Sequence, residues 1–383
     1  MQSKKIMVIF GTRPEATKMC TVVNALKKYP ERFDVKVVVT GQHKEQLYQV
    51  LQNFNLKPNI DLSIMKENQS LSYVTSSAIS GLDSVIQEDK PDFILVHGDT
   101  TTSFCGALVG FYHKIPVGHI EAGLRSYEKY SPWPEEVNRR LVDVVADILF
   151  APTALSCENL IKEGYKKEQI YITGQTAIDA AMATYKEDYL FNEPELNKID
   201  FENSRVITMT AHRRENYGEP MRQMFTAIRR IADNNPDVLI VYPVHLSPTV
   251  REMAYSTLSG HERILLLEPI DFIDMLNLQA RSHFIMSDSG GLQEECVVFH
   301  KPLVLMRDTT ERPEAIEAGA VYLAGTDESV IYDVSMKLLT DSNFYNQMAT
   351  ARNPFGDGKA SERIAHILSQ YFGFVDELPE EFL

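Results

Sequence analysis

The sequence predicts an α/β protein made of two doubly wound domains. Short apolar runs with the length of buried strands alternate with helical patterns along the whole chain, which is typical of βα units on parallel sheets. The chain has 383 residues, and this length favours two hydrophobic cores over one. A polar, acidic segment with little strand signal, residues 185–203, separates two series of strands and is interpreted as the linker between the domains.

Each half of the chain contains six predicted strands. Those of the first half are Ile6–Phe10, Val35–Thr40, Phe93–His97, Pro116–Ile120, Ile148–Ala151 and Ile170–Thr173. Those of the second half are Arg205–Thr210, Val238–Tyr242, Ile264–Leu267, His283–Met286, Leu303–Leu305 and Val321–Leu323. The predicted domains are residues 1–175 and 176–360, followed by a C-terminal helix and an acidic tail at 361–383. Sheets of this kind bind ligands at the carboxyl ends of their strands, so polar residues at those positions are the functional candidates.

The composition favours a cytoplasmic globular protein. Hydrophobic residues make up 44% of the chain and charged residues 24%. No apolar run approaches the ~18 residues that span a bilayer, and the N-terminal apolar stretch is too short for a signal peptide. The net charge of −15 argues against a nucleic acid or an anionic membrane as partner. The four cysteines are scattered without the spacing of a zinc site and are interpreted as structural thiols.

The segment Gly11–Lys18 follows the first strand and has features of an anion-binding turn. Gly11 allows a tight turn, and the helix that begins there presents free N–H groups to an anion. Arg13 and Lys18 add positive charge. A plain β-turn-α corner is an equally good interpretation of these residues.

A second candidate is the sequence SDSGGLQEE, which ends at Glu295. Gly290 and Gly291 would let a diphosphate approach the backbone at the start of a helix, and Glu294 or Glu295 could accept hydrogen bonds from ribose hydroxyls. The alternative is ordinary capping of the helix by Ser289, which would leave the two glycines unexplained.

Further strand ends in the second half carry cationic or titratable side chains. His212 and Arg213 follow the first strand of this half, and Arg312 lies in the similar polar segment RDTTERPE. A solvated loop is the alternative for His212 and Arg213. His245 ends the segment YPVH, although a single histidine after a strand is more often structural.

Three carboxylates follow strand ends in the first half, namely Asp99 in HGDTTT, Glu121 in HIEAGLR and Glu135 in PWPEEVNR. They could converge on a cleft between the domains. Such a cluster suits proton abstraction and return, because mutual repulsion and desolvation raise a carboxyl pKa toward neutrality. A metal site is the main alternative, but the DxD and HExxH spacings are missing and neighbouring cations would compete with a metal. Helix capping could explain Asp99 or Glu135 singly.

Together these motifs resemble those of the bacterial non-hydrolysing UDP-N-acetylglucosamine 2-epimerases. The matching blocks cover nearly the whole chain in order and are GTRPEATK (11–18), HGDTTT (97–102), HIEAGLRS (119–126), PWPEEVNR (132–139), TAHRREN (210–216), YPVH (242–245), SDSGGLQEE (287–295) and RDTTERPEA (307–315). The resemblance implies a GT-B-type fold of two Rossmann-like domains, with the active site in the interdomain cleft and the C-terminal helix packed back on the first domain. It also implies a homodimer that needs neither a metal nor another cofactor.

The resemblance further implies an isomerase that interconverts UDP-N-acetylglucosamine and UDP-N-acetylmannosamine, supplying precursors of surface polysaccharides. UDP would leave by anti-elimination through a 2-acetamidoglucal intermediate and then add back, with the C2 proton returned on the opposite face. The catalytic residues implied are Asp99, Glu121, Glu135 and His212, the last supporting the leaving diphosphate or a proton transfer. The substrate-binding residues implied are Arg13, Lys18 and Arg139 at the reacting end, and Arg213, His245, Phe272, Ser289, Gly290, Gly291, Glu295 and Arg312 for the rest of the UDP-sugar.

Many members of this family are also activated by substrate bound at a second site. The block GQHKEQ resembles that region through Gln42 and His43, and Glu136 and His245 are further candidates. Asn68 stands where some relatives have a basic residue, which concerns the strength of the second site and not catalysis.

Three other functions stay open at this point. A GT-B glycosyltransferase shares the fold and the UDP site but needs an acceptor. A hydrolysing epimerase would release free N-acetylmannosamine and UDP. A catalytically silent UDP-sugar sensor would bind without turnover.

Overall fold

The computed structural model describes residues 2–41, 44–66, 69–310 and 312–382, without the side chains of residues 44–46. The chain forms two compact units, Met1–Ala183 with Phe355–Leu383 and Thr184–Pro354. Each unit contains one parallel sheet flanked by helices. The predicted fold class, two doubly wound α/β domains, is therefore confirmed.

The first unit has a seven-stranded sheet in the order β3-β2-β1-β4-β5-β6-β7. Its strands are β1 Lys4–Phe10, β2 Phe33–Val39, β3 Ile60–Asp61, β4 Phe93–His97, β5 Val117–Ile120, β6 Ile148–Ala151 and β7 Ile170–Ile172. Its helices are α1 Arg13–Lys27, α2 Lys44–Asn53, α3 Leu71–Asp89, α4 Thr101–Tyr112, α5 Glu135–Val145, α6 Ala154–Lys162 and α7 Thr176–Thr184. The central strands are continuous apolar runs because helices cover both faces of the sheet.

The second unit has a six-stranded sheet in the order β10-β9-β8-β11-β12-β13. Its strands are β8 Arg205–Thr210, β9 Val238–Pro243, β10 Ile264–Leu267, β11 Phe284–Ser287, β12 Leu303–Leu305 and β13 Val321–Leu323. Its helices are α8 Glu219–Asn234, α9 Pro248–Leu258, α10 Phe272–Arg281, α11 Gly290–Val298, α12 Pro313–Glu317, α13 Glu328–Thr340 and α14 Ser342–Ala349.

In each sheet the strand order reverses once, and loops at that point form a crevice beyond the carboxyl ends of the strands. The reversal lies between β1 and β4 in the first sheet and between β8 and β11 in the second. The motifs identified in the sequence follow these strands and their neighbours, so the fold places them at the positions where this architecture binds ligands.

The last helix, α15 (Ala360–Tyr371), belongs to the first unit and packs on α1. Ser361 Oγ lies 2.9 Å from Thr21 Oγ1 across this contact. The acidic tail continues to the edge of the sheet, where the N–H of Phe382 donates to the carbonyl oxygen of Ile172 at 2.9 Å. The tail thereby covers the edge of β7.

The domain boundaries differ from those drawn from the sequence. The first unit extends to Ala183 instead of residue 175 and takes in the chain again from Phe355. The reason is local, because the carboxylate of Asp179 in α7 accepts the N–H groups of Ala360 and Ser361 at 3.1 and 2.6 Å. These bonds tie α7 to the start of α15.

The segment 185–203 was interpreted as a linker, and that interpretation is wrong. Leu196 is fully buried and Phe191 is 4% exposed, in a small core of the second unit. The backbone N–H groups of Asn192 and Glu193 donate to the carboxylate of Asp274 at 3.0 and 2.8 Å. The segment packs on the second unit without forming strands, and for this reason it lacks a periodic signal.

Within the described ranges, no helix is both long enough and apolar enough to span a bilayer. The four cysteines, Cys20, Cys105, Cys157 and Cys296, are buried thiols without disulfides.

Candidate active site

A buried carboxylate joins the loops at the strand-order reversal of the first sheet. Glu15, in the first turn of α1, is 2% exposed. Its Oε2 accepts the backbone N–H groups of Gly11 at 3.0 Å and Thr12 at 2.8 Å. Its Oε1 accepts the hydroxyls of Thr100 at 2.6 Å and Ser103 at 2.8 Å. Glu15 therefore fixes the loop after β1 against the start of α4.

This carboxylate occupies the anion-binding turn proposed at Gly11–Lys18. The backbone N–H groups of Gly11 and Thr12, which precede α1, bind Glu15, and Lys18 pairs with Glu121. Arg13 is half-buried as the first residue of α1. The interpretation of this turn as a phosphate site stays a prediction, and these contacts also fit the alternative, a β-turn-α corner.

Glu121 follows β5 and lies among cationic and polar groups. Its φ of 70° is in the left-handed region, which costs energy for a residue with a side chain. Its carboxylate pairs with Lys18, and Oε2 lies 3.3 Å from His97 Nε2. Burial alone would raise the pKa of Glu121, but Lys18 and His97 outweigh burial and hold that pKa well below its usual value. Glu121 is therefore ionised at neutral pH.

Asp99 and Arg139 both influence Glu135 electrostatically. Arg139, on α5, pairs with the carboxylate of Asp99, and Asn138 Nδ2 donates to the backbone oxygen of Asp99 at 2.9 Å. Glu135 is the first residue of α5. Burial, reinforced by the negative charge of Asp99, raises the pKa of Glu135. The first unit thus presents two carboxylates whose environments shift their pKa values in opposite directions.

A buried network supports the loop after β5. His119 Nδ1 lies 2.6 Å from Asp143 Oδ1, and its Nε2 lies 2.8 Å from the carbonyl oxygen of Gly98. Arg125 donates to Asp143 at 2.7 Å and to Glu163 at 2.8 Å. These pairs link β5 with α5 and the end of α6, so they fix the conformation of the loop after β5.

In the second unit, Asp288 organises the loop after β8. Its carboxylate is fully buried and accepts the backbone N–H groups of His212 at 3.0 Å and Arg213 at 2.9 Å. Asn216 Nδ2 donates to the same carboxylate at 3.2 Å. These bonds connect the ends of β8 and β11. The loop with His212 and Arg213 is therefore held by buried hydrogen bonds, and the alternative of a solvated loop does not fit these contacts.

A cavity of about 740 Å³ opens beside this loop. The described residues that line it are His212, Arg213, Arg214, Glu215, Tyr217, His245 and Ser247. The rings of His212 and His245 stack with centroids 5.4 Å apart, and His245 Nδ1 accepts the N–H of Ser247 at 3.1 Å. Burial lowers the pKa of His212 and outweighs the nearby carboxylate of Asp288. A neutral His212 beside two arginines suits a ligand that is anionic and accepts hydrogen bonds.

The helix α11 begins with Gly290 and Gly291 directly after β11. The hydroxyl of Ser289 accepts no hydrogen bond from the first amides of this helix, so the capping alternative does not explain the segment. A helix start without a side-chain cap, with glycine at its first positions, can bind an anion through its N–H groups.

The other predicted UDP-binding residues lie around α11 and α10. Arg312 Nε donates to the carboxylate of the buried Glu294 at 2.5 Å, and Gln279 Nε2 donates to Glu295 at 2.8 Å. Phe272 is the half-buried first residue of α10. Arg312 and Glu295 therefore have positions that the surrounding protein fixes.

Comparison with known proteins agrees with this arrangement. The sequence profile of the family described as UDP-N-acetylglucosamine 2-epimerase matches residues 24–369. The UDP-N-acetylglucosamine 2-epimerase of Bacillus subtilis is 51% identical over 382 residues, which are 100% of this chain and 99% of that protein. The chain belongs to the UDP-N-acetylglucosamine 2-epimerase family.

Two solved structures of similar proteins contain ligands. The S. aureus MnaA–UDP complex is 48% identical with a TM-score of 0.88 and covers 99% of this chain and 100% of its own. The Neisseria meningitidis UDP-GlcNAc 2-epimerase bound to UDP-GlcNAc is 44% identical with a TM-score of 0.87, covering 96% and 100%. The epimerase family and the GT-B-type fold of two Rossmann-like domains, both predicted from the motifs, are confirmed.

The second, activating site expected of this epimerase family stays a prediction. Gln42, His43 and Asn68 lie outside the described residues. Glu136 is 1% exposed, and its carboxylate accepts the N–H of Ser126 at 2.9 Å. In this conformation Glu136 therefore supports the loop before α5 from inside the protein.

Several contacts of the epimerase site were missed from the sequence. The residues concerned are Glu15, His97, Asn138 and Asp288, and their partners lie far away along the chain. One local signal exists, because Thr12-x-x-Glu15 has the pattern of a capping box at a helix start.

Within the described ranges, no group of three or more His, Cys, Asp and Glu side chains could hold a metal ion.

Proposed function

We propose that the protein catalyses the reversible epimerisation of UDP-N-acetylglucosamine at C2 to UDP-N-acetylmannosamine. The observation that carries this proposal is the set of three carboxylates in the first unit. Glu121 pairs with Lys18 and Asp99 pairs with Arg139, and these surroundings lower the pKa of Glu121 and raise that of Glu135. A reaction that removes a proton and returns it on the other face needs one ionised and one protonated group. The product would supply precursors of surface polysaccharides.

The ionised Glu121 would act as the base. It would take the C2 hydrogen as a proton, and the C–H electron pair would form the C1=C2 bond of 2-acetamidoglucal. The C1–O bond would break at the same time, with its electron pair leaving on UDP. Glu135, whose raised pKa favours its acid form, would then deliver a proton to the opposite face of C2 while a UDP oxygen bonds to C1. Asp99 contributes by raising the pKa of Glu135.

The second unit would bind UDP and stabilise it as a leaving group. Arg213, the neutral His212 and the amides of Gly290 and Gly291 are donors for a diphosphate. Fixed donors stabilise the charge that develops on the leaving oxygen. Retained UDP would add back to the glucal, and this retention separates a non-hydrolysing epimerase from a hydrolysing one.

The acceptor-free reaction is the first test. UDP-N-acetylglucosamine, incubated with the protein in D₂O and EDTA, should give UDP-N-acetylmannosamine without any acceptor. The C2–H signal of both sugars should disappear from the ¹H NMR spectrum, because the proton that returns comes from groups in exchange with solvent. ³¹P NMR should show that the diphosphate ester is retained.

Each rival function has its own signature in the same experiment. Free N-acetylmannosamine with UDP would indicate a hydrolysing epimerase. Turnover that begins only when a sugar acceptor is added would indicate a glycosyltransferase. Binding of the UDP-sugar without any chemical change or deuterium uptake would indicate a sensor.

We also propose that the protein is a homodimer joined through α4 and α5. These adjacent helices follow parallel strands of one sheet and run in the same direction, so their C-terminal ends lie side by side. There the apolar side chains of Phe111, Tyr112, Leu141 and Val144 are 57%, 64%, 41% and 69% exposed. Exposed apolar clusters of this kind mark protein interfaces.

Light scattering after size-exclusion chromatography should show twice the mass of the chain for the native protein. Val144→Glu replaces one of these exposed apolar side chains by a charge and should shift the protein toward the monomer. Ile161→Glu, which changes an exposed residue on α6, is the matched control and should leave the dimer intact. A native monomer, or a Val144→Glu variant that stays dimeric, would contradict this interface.

A further inference from the structure

His97, the last residue of β4, has a buried polar atom without a hydrogen bond. The residue is 3% exposed, and within the described part of the chain its Nε2 has no hydrogen-bond partner. A buried polar atom without a partner is costly, and natural proteins contain few of them. The nearest acceptor is Glu121 Oε2 at 3.3 Å, which is within ion-pair distance but without hydrogen-bond geometry.

The carboxylate of Glu121 is held asymmetrically. Lys18 Nζ contacts Oε2, the same oxygen that His97 approaches. No hydrogen bond from the described residues reaches Oε1. That oxygen lies over Gly98, where an added Cβ would be 3.8 Å away. Lys18 and His97 therefore both approach Oε2, and neither of them contacts Oε1.

We propose that His97 is a positioning residue for Glu121 in the reaction proposed above. With Lys18 it fixes Oε2, so that Oε1 is the oxygen that takes the C2 proton. A neutral imidazole can donate from Nε2 when its other nitrogen is unprotonated. The contact would shorten to a hydrogen bond when substrate binds, since catalytic hydrogen bonds are often long in free enzymes.

A second role follows from the electrostatics of this cluster. Within the described ranges, the charged or titratable groups that face the Glu121 carboxylate are Lys18 from α1 and His97 from β4. Burial favours the protonated carboxyl, and the two donors oppose it. Loss of either donor should therefore make Glu121 easier to protonate.

Two substitutions separate this role from simple packing. His97→Leu removes the donor and keeps an apolar side chain, whereas His97→Gln keeps an N–H donor at a similar reach. His366→Leu, on α15, is the matched control because the one described hydrogen bond of its ring joins Nε2 to the carbonyl oxygen of Glu377 at 3.0 Å. Circular dichroism and thermal unfolding would establish that each variant is folded.

The first measurement does not depend on turnover. ¹³C NMR of glutamate side-chain carboxyls, with the Glu121 signal assigned by its loss in Glu121→Gln, gives the titration midpoint of Glu121 in the free protein. His97→Leu should raise this midpoint by about one pH unit, a usual effect of losing one charge-stabilising donor. His97→Gln should raise the midpoint less, and His366→Leu should leave it unchanged.

The second measurement is the pH dependence of epimerisation. In His97→Leu the acidic limb of kcat/KM should move to higher pH with the NMR midpoint, and kcat at neutral pH should fall about 10- to 100-fold because the carboxylate is less well placed. His97→Gln should recover much of this loss, and the Kd for UDP should not change. If His97→Leu does not fold, the Glu121 midpoint and the acidic limb of kcat/KM are compared between His97→Gln and the native protein. Both should then move to higher pH, by less than is expected for His97→Leu.

Three outcomes would overturn the inference. The Glu121 midpoint could stay unchanged in the folded variants, the acidic limb could stay in place while activity falls, or His97→Gln could be as impaired as His97→Leu. A native protein that does not epimerise its substrate would instead overturn the proposed function, and the NMR titration would still decide whether His97 controls Glu121.

Discussion

Replacing any of the three candidate carboxylates by its amide should lower turnover by about 10²–10⁴-fold, the usual contribution of a general acid or base. Asp99→Asn, Glu121→Gln and Glu135→Gln keep the size of each side chain but remove its charge and its ability to carry a proton. Initial rates of UDP-N-acetylmannosamine formation measure the effect. Three variants with near-normal turnover would show that these carboxylates are structural.

The pH dependence should distinguish the two glutamates. Burial raises the pKa of Glu121, but Lys18 and His97 lower it by more, so that the net pKa is well below the usual value. The base therefore stays ionised until the pH falls through this lowered pKa. Burial raises the pKa of Glu135, so its acid form persists above the usual range and is lost as the pH rises through the raised value. We expect Glu121→Gln to abolish the acidic limb of the rate profile and Glu135→Gln the basic limb.

Arg213→Ala is the matched control for these variants. It should weaken UDP binding by about 10-fold or more, because a hydrogen bond to a charged group contributes about 1.5–3 kcal/mol. The amide variants should keep the Kd for UDP within about twofold, since Asp99, Glu121 and Glu135 are on the other unit. Isothermal titration calorimetry with UDP compares them directly. A large loss of UDP affinity in the amide variants would contradict this division of roles.

Much of the fold could be predicted because both sheets are parallel. A strand covered on both faces is a continuous apolar run, such as Phe93–His97, and it is bounded by helical patterns. The strand Ile60–Asp61 was missed, since two residues at a sheet edge produce no such run. The segment 185–203 was misread for a related reason. Its few buried side chains, including Leu196, pack between irregular turns and follow neither strand nor helix periodicity.

The site could be predicted only as a set of strand-end motifs. Asp99, Glu121 and Glu135 were found because each follows a strand or begins a helix with an unusual polar segment. Their pKa values depend on contacts that cross the chain, such as the pair of Lys18 with Glu121 across 103 positions. A spacing rule does not report such contacts. For the same reason the sequence did not show that Glu15 accepts the N–H groups of Gly11 and Thr12 in the turn proposed to bind phosphate.

Replacing Glu15 by alanine should destabilise the first unit by about 3 kcal/mol or more. Its carboxylate accepts five hydrogen bonds, and its loss leaves the N–H groups of Gly11 and Thr12 buried without an acceptor. Glu15→Gln keeps one acceptor oxygen, but its NH₂ group faces groups that are themselves donors. Its free energy of unfolding should therefore lie between those of the native protein and Glu15→Ala. Urea unfolding can be followed through the fluorescence of the single tryptophan, Trp133, which lies in this unit.

The same contacts predict that small carboxylates rescue Glu15→Ala. The start of α1 presents the amides of Gly11 and Thr12, and a helix start of this kind attracts anions once its internal carboxylate is removed. Formate that binds only the folded state should raise the unfolding midpoint as its concentration rises, whereas chloride at equal ionic strength should not. Glu88→Ala, an exposed position on α3, is the control and should behave like the native protein with both salts. A Glu15→Ala midpoint equal to that of Glu88→Ala would contradict the contribution of the network, and equal responses to formate and chloride would contradict the anion site. Turnover should recover together with stability, because Thr100, which Glu15 holds, is bonded directly to Asp99 along the chain.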